Sequence, residues 1–137
     1  MVEIRLATLD DIPFLMALEE ASFNEHDRFS KESIKRSIKS PTQFVYIIMK
    51  GTKSVGSATL HLHKNVWRLY SFAVLPAYRK HHMGAILLGE IIKRAEEKYL
   101  QKITLEVNSE NTSAIRFYER FGFKFVRLLE DYYDNKR

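Results

Sequence analysis

The sequence predicts an α/β protein of the α+β kind, a mixed sheet with helices on its faces in the order β-α-α-β-β-β-α-β-α-β. Three observations carry that prediction. Apolar residues alternate with period two in several short runs separated by turn residues, the mark of half-buried strands. A long stretch after Pro76 instead repeats its apolar residues at helical spacing. A further strand-like run and a further helical run then follow.

Val2, Ile4 and Leu6 alternate with polar neighbours and make the first strand. A helix follows, capped by Thr8 or Asp10. Asp10 is preferred because it leaves Pro13 among the first helical positions, whose N–H groups have no intrahelical acceptor. Ser30 caps a second helix that runs through Lys39 and is closed off by Pro41. Between the two helices, SFNEHDRF reads as a loop rich in side chains able to touch a substrate. Residues 43–50 and 54–63 are β-rich and joined by Gly-Thr-Lys, which makes them a hairpin; residues 66–75 add a third antiparallel run, ended by Pro76. In the helix that starts near Met83, Leu87, Leu88, Ile91, Ile92, Ala95 and Tyr99 form one face and Lys93, Arg94, Glu96, Glu97 and Lys98 the other. Residues 102–108 form a strand with Ile103, Leu105 and Val107 on one side and Thr104, Glu106 and Asn108 on the other. Asn111 caps a helix that reaches Phe121, Gly122 ends it in a left-handed turn, and a last strand begins at Phe123.

With 137 residues, 45% of them hydrophobic, and no repeat or linker, the chain reads as one domain, 1–137. The absence of cysteine excludes disulfides, thiolate metal clusters and a cysteine nucleophile, and makes a cytoplasmic location the expectation. No leader-like segment opens MVEIRLATLDD, and no run approaches the roughly 20 apolar residues that cross a bilayer, so no membrane association is expected. A net charge of +5 permits attraction to anions. Lys31, Lys35, Arg36, Lys39, Lys93, Arg94 and Lys98, however, sit at solvent-facing spacing among acidic residues, which reads as a solvated surface, and no nucleic-acid partner is expected.

Two stretches can carry chemistry. In AYRKHHMGAILL a strand gives way to a helix, and successive N–H groups at a helix start, reinforced by its dipole, suit phosphate. Arg79, Lys80, His81 and His82 add positive charge there, and Gly84 permits close approach of a ligand. The same loop lacks the spacing of a P-loop or a dinucleotide fingerprint, so an ordinary helix start remains an alternative. A metal is not expected: adjacent His81 and His82 point in different directions, and His61 and His63 have neither a cysteine partner nor an HExxH spacing. The second stretch is LEVNSENTSAIRFYERFGF. Asn111 and Tyr118 lie seven residues apart, on one helix face, and Glu106 precedes them. A carboxylate that takes a proton and a phenol that gives one would serve acid–base chemistry; an amphipathic helix with Tyr118 as a half-buried aromatic is the other account.

Together the two stretches resemble the GNAT family of acetyl-CoA-dependent N-acetyltransferases, across nearly the whole chain. FAVLPAYRKHHMGAILL stands where that family carries its acetyl-CoA loop. Glu106-Val107, Asn111, Ala114-Ile115, Tyr118-Glu119, Gly122-Phe123 and Tyr132-Tyr133 stand at intervals like those of the RimI-type N-terminal acetyltransferases of ribosomal proteins. The resemblance implies backbone hydrogen bonds from Phe72, Ala73 and Val74 to the pantetheine arm of acetyl-CoA. It implies pyrophosphate binding by Arg79, Lys80, His81, His82, Met83, Gly84 and Ala85, a further cofactor contact at Asn111, Glu106 as general base, and Tyr118 as the general acid beside the cofactor. Two departures stand out. His82 occupies the position of the loop's first glycine, where a side chain at positive φ costs roughly 1 kcal/mol or more. By the same resemblance, the usual last strand is expected to be missing after DYYDNKR, which would leave an exposed edge that invites dimerisation.

The expected activity is therefore transfer of acetyl from acetyl-CoA to a primary amine, first among them the N-terminal α-amine of a protein or peptide. A small-amine acceptor (polyamine, aminoglycoside or amino acid) and a non-catalytic acetyl-CoA-binding module are the alternatives.

Overall fold

Alternation in the first residues is enough to set β1 (Val2–Leu6), and one ion pair fixes the turn that leads out of it. The computed structural model describes residues 1–124 and separates them into two compact units, one of Met1–Leu105 and one that begins at Glu106. In the first unit, Arg5 grips Asp11 in a fork, Nη1 to Oδ2 and Nη2 to Oδ1, both at 2.8 Å, and Thr8 N–H donates to the same carboxylate at 2.8 Å. These bonds hold the buried Asp11 carboxyl below the usual carboxylate range, with the Arg5 bond the largest cause. They also correct the expected cap. Thr8 caps a short 3₁₀ turn (Leu9–Asp11), Asp11 rather than Asp10 precedes α1 (Ile12–Ser22), and Pro13 sits in its first turn.

After α1 the chain makes one further turn at Glu25–Asp27 and then α2 (Lys31–Lys39), where Ser30 Oγ accepts from Ser33 N–H at 3.1 Å as expected of a cap. Three long strands come next: β2 (Gln43–Lys50), β3 (Lys53–His63) and β4 (Val66–Val74). The β2–β3 turn has two residues, and Gly51 takes φ +65°, a conformation a side chain would strain. A 3₁₀ segment (Pro76–His81), α3 (Met83–Glu97) and β5 (Lys102–Leu105) complete this unit.

The sheet runs β1-β2-β3-β4-β5, antiparallel except for the β4–β5 pair, which is parallel because α3 carries the chain back. Ile12, Leu15 and Ile34 of α1 and α2 pack on Val45 and Ile47. The opposite face carries Trp67, fully buried, with Phe44 and Tyr46 meeting its ring edge-on, and Arg94 of α3 lies 5.0 Å over Tyr46. Each helix layer thus covers one face of the sheet.

Several expected boundaries move. Tyr99 is expected on the buried face of α3, but the helix ends at Glu97, Tyr99 takes φ +57°, and the residue is 91% exposed. The strand expected over 102–108 stops at Leu105, where its ladder with β4, its partner among the described residues, also ends: the two pair from Val66 to Leu69 and no farther. A bulge gives the local cause. Thr59 opposes Ser71 and Leu60 opposes Leu69, so Tyr70 is an extra residue in β4 and bends the strand where the β5 ladder ends. The second unit holds α4 (Thr112–Glu119), shorter than a helix reaching Phe121, with Gly122 at φ +94° just beyond it as expected. The strand expected from Phe123, the expected lack of a further strand after it, and Tyr132-Tyr133 fall on or run into residues outside those described.

Candidate active site

In the first unit, the residues expected to bind the cofactor run from the end of β4 into α3. Phe72, Ala73 and Val74 pair with Ala58, Ser57 and Gly56 of β3 and lie beyond the last rung with β5. The Val74 carbonyl accepts from Arg79 Nε at 3.0 Å, which ties the loop back to the strand. Gly56 makes the close approach there necessary: a Cβ on it would stand 2.8 Å from the Ala73 carbonyl oxygen and about as close to Ile48 and Val74. The loop then winds through Pro76–His81 and reverses at His82, which takes φ +62° and ψ +16° directly before α3. That is the left-handed conformation in which glycine is free of strain and histidine is tolerated better than most residues. The first helical hydrogen bond runs from Ile86 N–H to the His82 carbonyl. The N–H groups of Met83, Gly84 and Ala85 therefore lack an intrahelical acceptor and face the preceding loop. Three successive donors with Arg79 and Lys80 beside them fit a diphosphate.

Two residues that pattern reasoning missed stand against this loop. Lys50 Nζ lies 3.1 Å from His81 Nδ1, and Lys53 Nζ lies 5.5 Å over the Tyr78 ring, which meets His81 edge-on. They come from the β2–β3 hairpin, so no local spacing could have announced them. His61 stacks on Tyr70. Among the described residues no group of three or more His, Cys, Asp or Glu is placed to hold a metal.

The loop between α1 and α2 folds back on its own helix. Glu19, 7% exposed, accepts from Phe29 N–H at 2.7 Å, and Arg28 donates to the carbonyls of Phe23 and Glu20. Burial pushes the Glu19 carboxyl up, and the Phe29 bond opposes that shift. Glu19, Phe29, Ser57, Thr59 and Ser71 line a cavity of about 20 Å³, room for one water-sized group.

In the second unit, Glu106 is exposed and lies just past the end of β5. Asn111 caps α4, its Oδ1 accepting from Ala114 N–H at 3.2 Å. Tyr118 packs among Phe117 and Phe123, both meeting its ring near right angles, and burial pushes its phenol up to about 12. Tyr118 is thus both the half-buried aromatic and a weaker acid than an ordinary tyrosine.

A comparison with known families matches residues 11–123 to the model of the acetyltransferase (GNAT) family. The chain belongs to that family. The match takes in both stretches that carried the resemblance. This GNAT chain is 33% identical over 86 residues to a [ribosomal protein bS18]-alanine N-acetyltransferase of Haemophilus influenzae, over 63% of this chain and 58% of that one. It is 29% identical to an N-alpha-acetyltransferase of Sulfolobus acidocaldarius, over 96% of this chain and 84% of the relative. Among solved structures, the ribosomal-protein-S18-alanine N-acetyltransferase of Escherichia coli superposes with a TM-score of 0.84 at 22% identity, covering 93% of this chain and 80% of the other. The PaiA N-acetyltransferase of Thermoplasma acidophilum, solved with coenzyme A, gives a TM-score of 0.82 at 22% identity, covering 92% and 91%. The expected mixed sheet is the fold these structures share. No helix among the described residues is long and apolar enough to cross a membrane.

Proposed function

We propose that this GNAT chain transfers the acetyl group of acetyl-CoA to a primary amine, and that its acceptor is the N-terminal α-amine of a protein or peptide. One observation carries the acceptor: a bacterial relative is named as an alanine N-acetyltransferase of ribosomal protein bS18 and an archaeal one as an N-alpha-acetyltransferase, and the archaeal one aligns with 96% of this chain. We read residues 1–137 as one domain, since the family match runs across Leu105.

In this proposal, Phe72, Ala73 and Val74 align the pantetheine arm. The donors at Met83, Gly84 and Ala85, with Arg79, Lys80, His81 and His82, hold the pyrophosphate, and Asn111 adds a contact. An amine is protonated near neutral pH, so a base must free its lone pair, and Glu106 takes that role. Tyr118 serves the leaving thiolate. With the phenol near 12 and a thiol near 8.5, full proton transfer from Tyr118 is roughly 5 kcal/mol uphill. Its hydroxyl therefore donates a hydrogen bond as the C–S bond breaks, and the proton follows late. No covalent intermediate is needed, in keeping with a chain that has no cysteine.

Calorimetry with acetyl-CoA and CoA, followed by transfer assays on N-terminal peptides, spermidine and lysine peptides, tests this. Acetylation of an α-amine peptide is expected, slowed at least about tenfold in Glu106→Gln and in Tyr118→Phe with cofactor affinity kept. Binding without transfer to any amine would turn the assignment to a non-catalytic module, and absence of binding at tens of micromolar would end the enzymatic reading.

A further inference from the structure

Lys50 and Lys53 stand opposite each other in the hairpin register, on either side of the two-residue turn. Like charges directly opposite weaken a hairpin. No carboxylate among the described residues forms an ion pair with either lysine. Both ammonium groups nonetheless lean to the same side, Lys50 onto His81 at 3.1 Å and Lys53 over the ring of Tyr78. Tyr78 and His81 are in turn held edge to face, 5.6 Å between centroids. Two lysines and an imidazole are thereby gathered along one edge of the segment that also carries Arg79 and Lys80.

We propose that Lys50, Lys53 and His81 form a subsite for a phosphate monoester, and that its occupant is the 3′-phosphate of coenzyme A. The inference rests on the acetyl-CoA reading above. The two anionic groups of that molecule call for different partners. A diphosphate suits the row of backbone donors at the start of α3. A phosphate monoester concentrates up to two charges on three oxygens, which compact ammonium groups can meet from several directions. The lysines come from the β2–β3 hairpin, so they can be substituted without changing the sequence of the loop they lean on.

Dephospho-CoA, which lacks only the 3′-phosphate, isolates the contact. Calorimetry would measure CoA and dephospho-CoA on the unsubstituted protein, on the double variant Lys50→Met/Lys53→Met, and on Lys35→Met, which removes an exposed lysine of α2. The unsubstituted protein and the Lys35 variant should prefer CoA by roughly tenfold or more, and the double variant should lose that preference through weaker CoA binding alone. Equal weakening of both ligands, or a preference that survives the double substitution, overturns the subsite. Equal affinity of the unsubstituted protein for the two ligands also overturns it, but leaves the acetyl-CoA reading standing. Binding of neither ligand overturns both.

Discussion

Replacing His82 by valine and, separately, by glycine measures how firmly the start of α3 is held in its left-handed turn. At φ +62° and ψ +16° a β-branched side chain crowds its own backbone more than histidine does, adding about 1–2 kcal/mol to the folded state. Glycine relieves about 1 kcal/mol, but its freer unfolded chain returns much of the gain, for a net change within about 0.5 kcal/mol. For 137 residues the unfolding entropy is roughly 0.29 kcal/mol/K, so valine should lower Tm by about 3–7 °C and glycine should move it by less than about 2 °C. Thermal unfolding followed by circular dichroism, without ligand and at one protein concentration, reads both. A valine variant that melts with the unsubstituted protein would show that the chain does not hold this turn, and the argument from strain would fail. Cofactor affinity adds a second readout: glycine should match or exceed histidine, since the backbone donors of Met83, Gly84 and Ala85 stay where they are.

Three further outcomes are expected of the same structure. Asp11 is held ionised in the folded protein by Arg5, so its stabilisation is present above the unfolded carboxyl value near 3.9 and is lost as pH falls through the lower folded value. Asp11→Asn should cost about 1–2 kcal/mol at pH 7, allowing for the partial exposure of Arg5, and should flatten the loss of urea resistance below about pH 4; an unchanged acid limb would refute the pairing. Gly56→Ala must push on the carbonyl oxygen of Ala73, and should cost about 1–3 kcal/mol in thermal or urea unfolding; a neutral result would mean that β3 and β4 separate there with ease. In an alkaline absorbance titration, Tyr118→Phe should remove tyrosinate signal only near pH 12 and leave the signal around pH 10 intact, whereas loss of signal near 10 would contradict burial as the cause.

The parts of the fold legible in the sequence are those with local causes. Ser30 needs only the N–H of Ser33, three residues away, to announce α2. The strands β1 to β4 declare themselves by alternation within a few residues. Val107 continues the alternation of β5, yet the strand ends at Leu105, because a strand exists only where a neighbour supplies its rungs. A trace of that event lies in the sequence: Trp67 and Leu69 share a face with Phe72 and Val74, so the period slips by one residue at Tyr70. Tyr99 keeps helical spacing but comes after the point where the helix has already turned. At the candidate site, spacing locates the loop and the resemblance supplies its glycine position, where the structure has His82 in the conformation a glycine would take. The approach of Lys50 and Lys53 to that loop joins residues far apart in the chain, and nothing in either neighbourhood encodes it.

The short parallel ladder of β5 sets a gradient of persistence across the sheet. The strands β2, β3 and β4 are joined in sequence by tight turns, so their rungs form and re-form without waiting for the rest of the chain. Strand β5 is different: its four rungs with β4 close only after all of α3 has been laid down, and the bulge at Tyr70 stops them from spreading. Amide protons of β5 should therefore exchange with solvent by a lower-energy opening than those in the middle of β3, a difference that hydrogen exchange resolves strand by strand. A molecule that docks at the end of β4 would then be felt in exchange rates in β5 first, while β3 stays as slow as before.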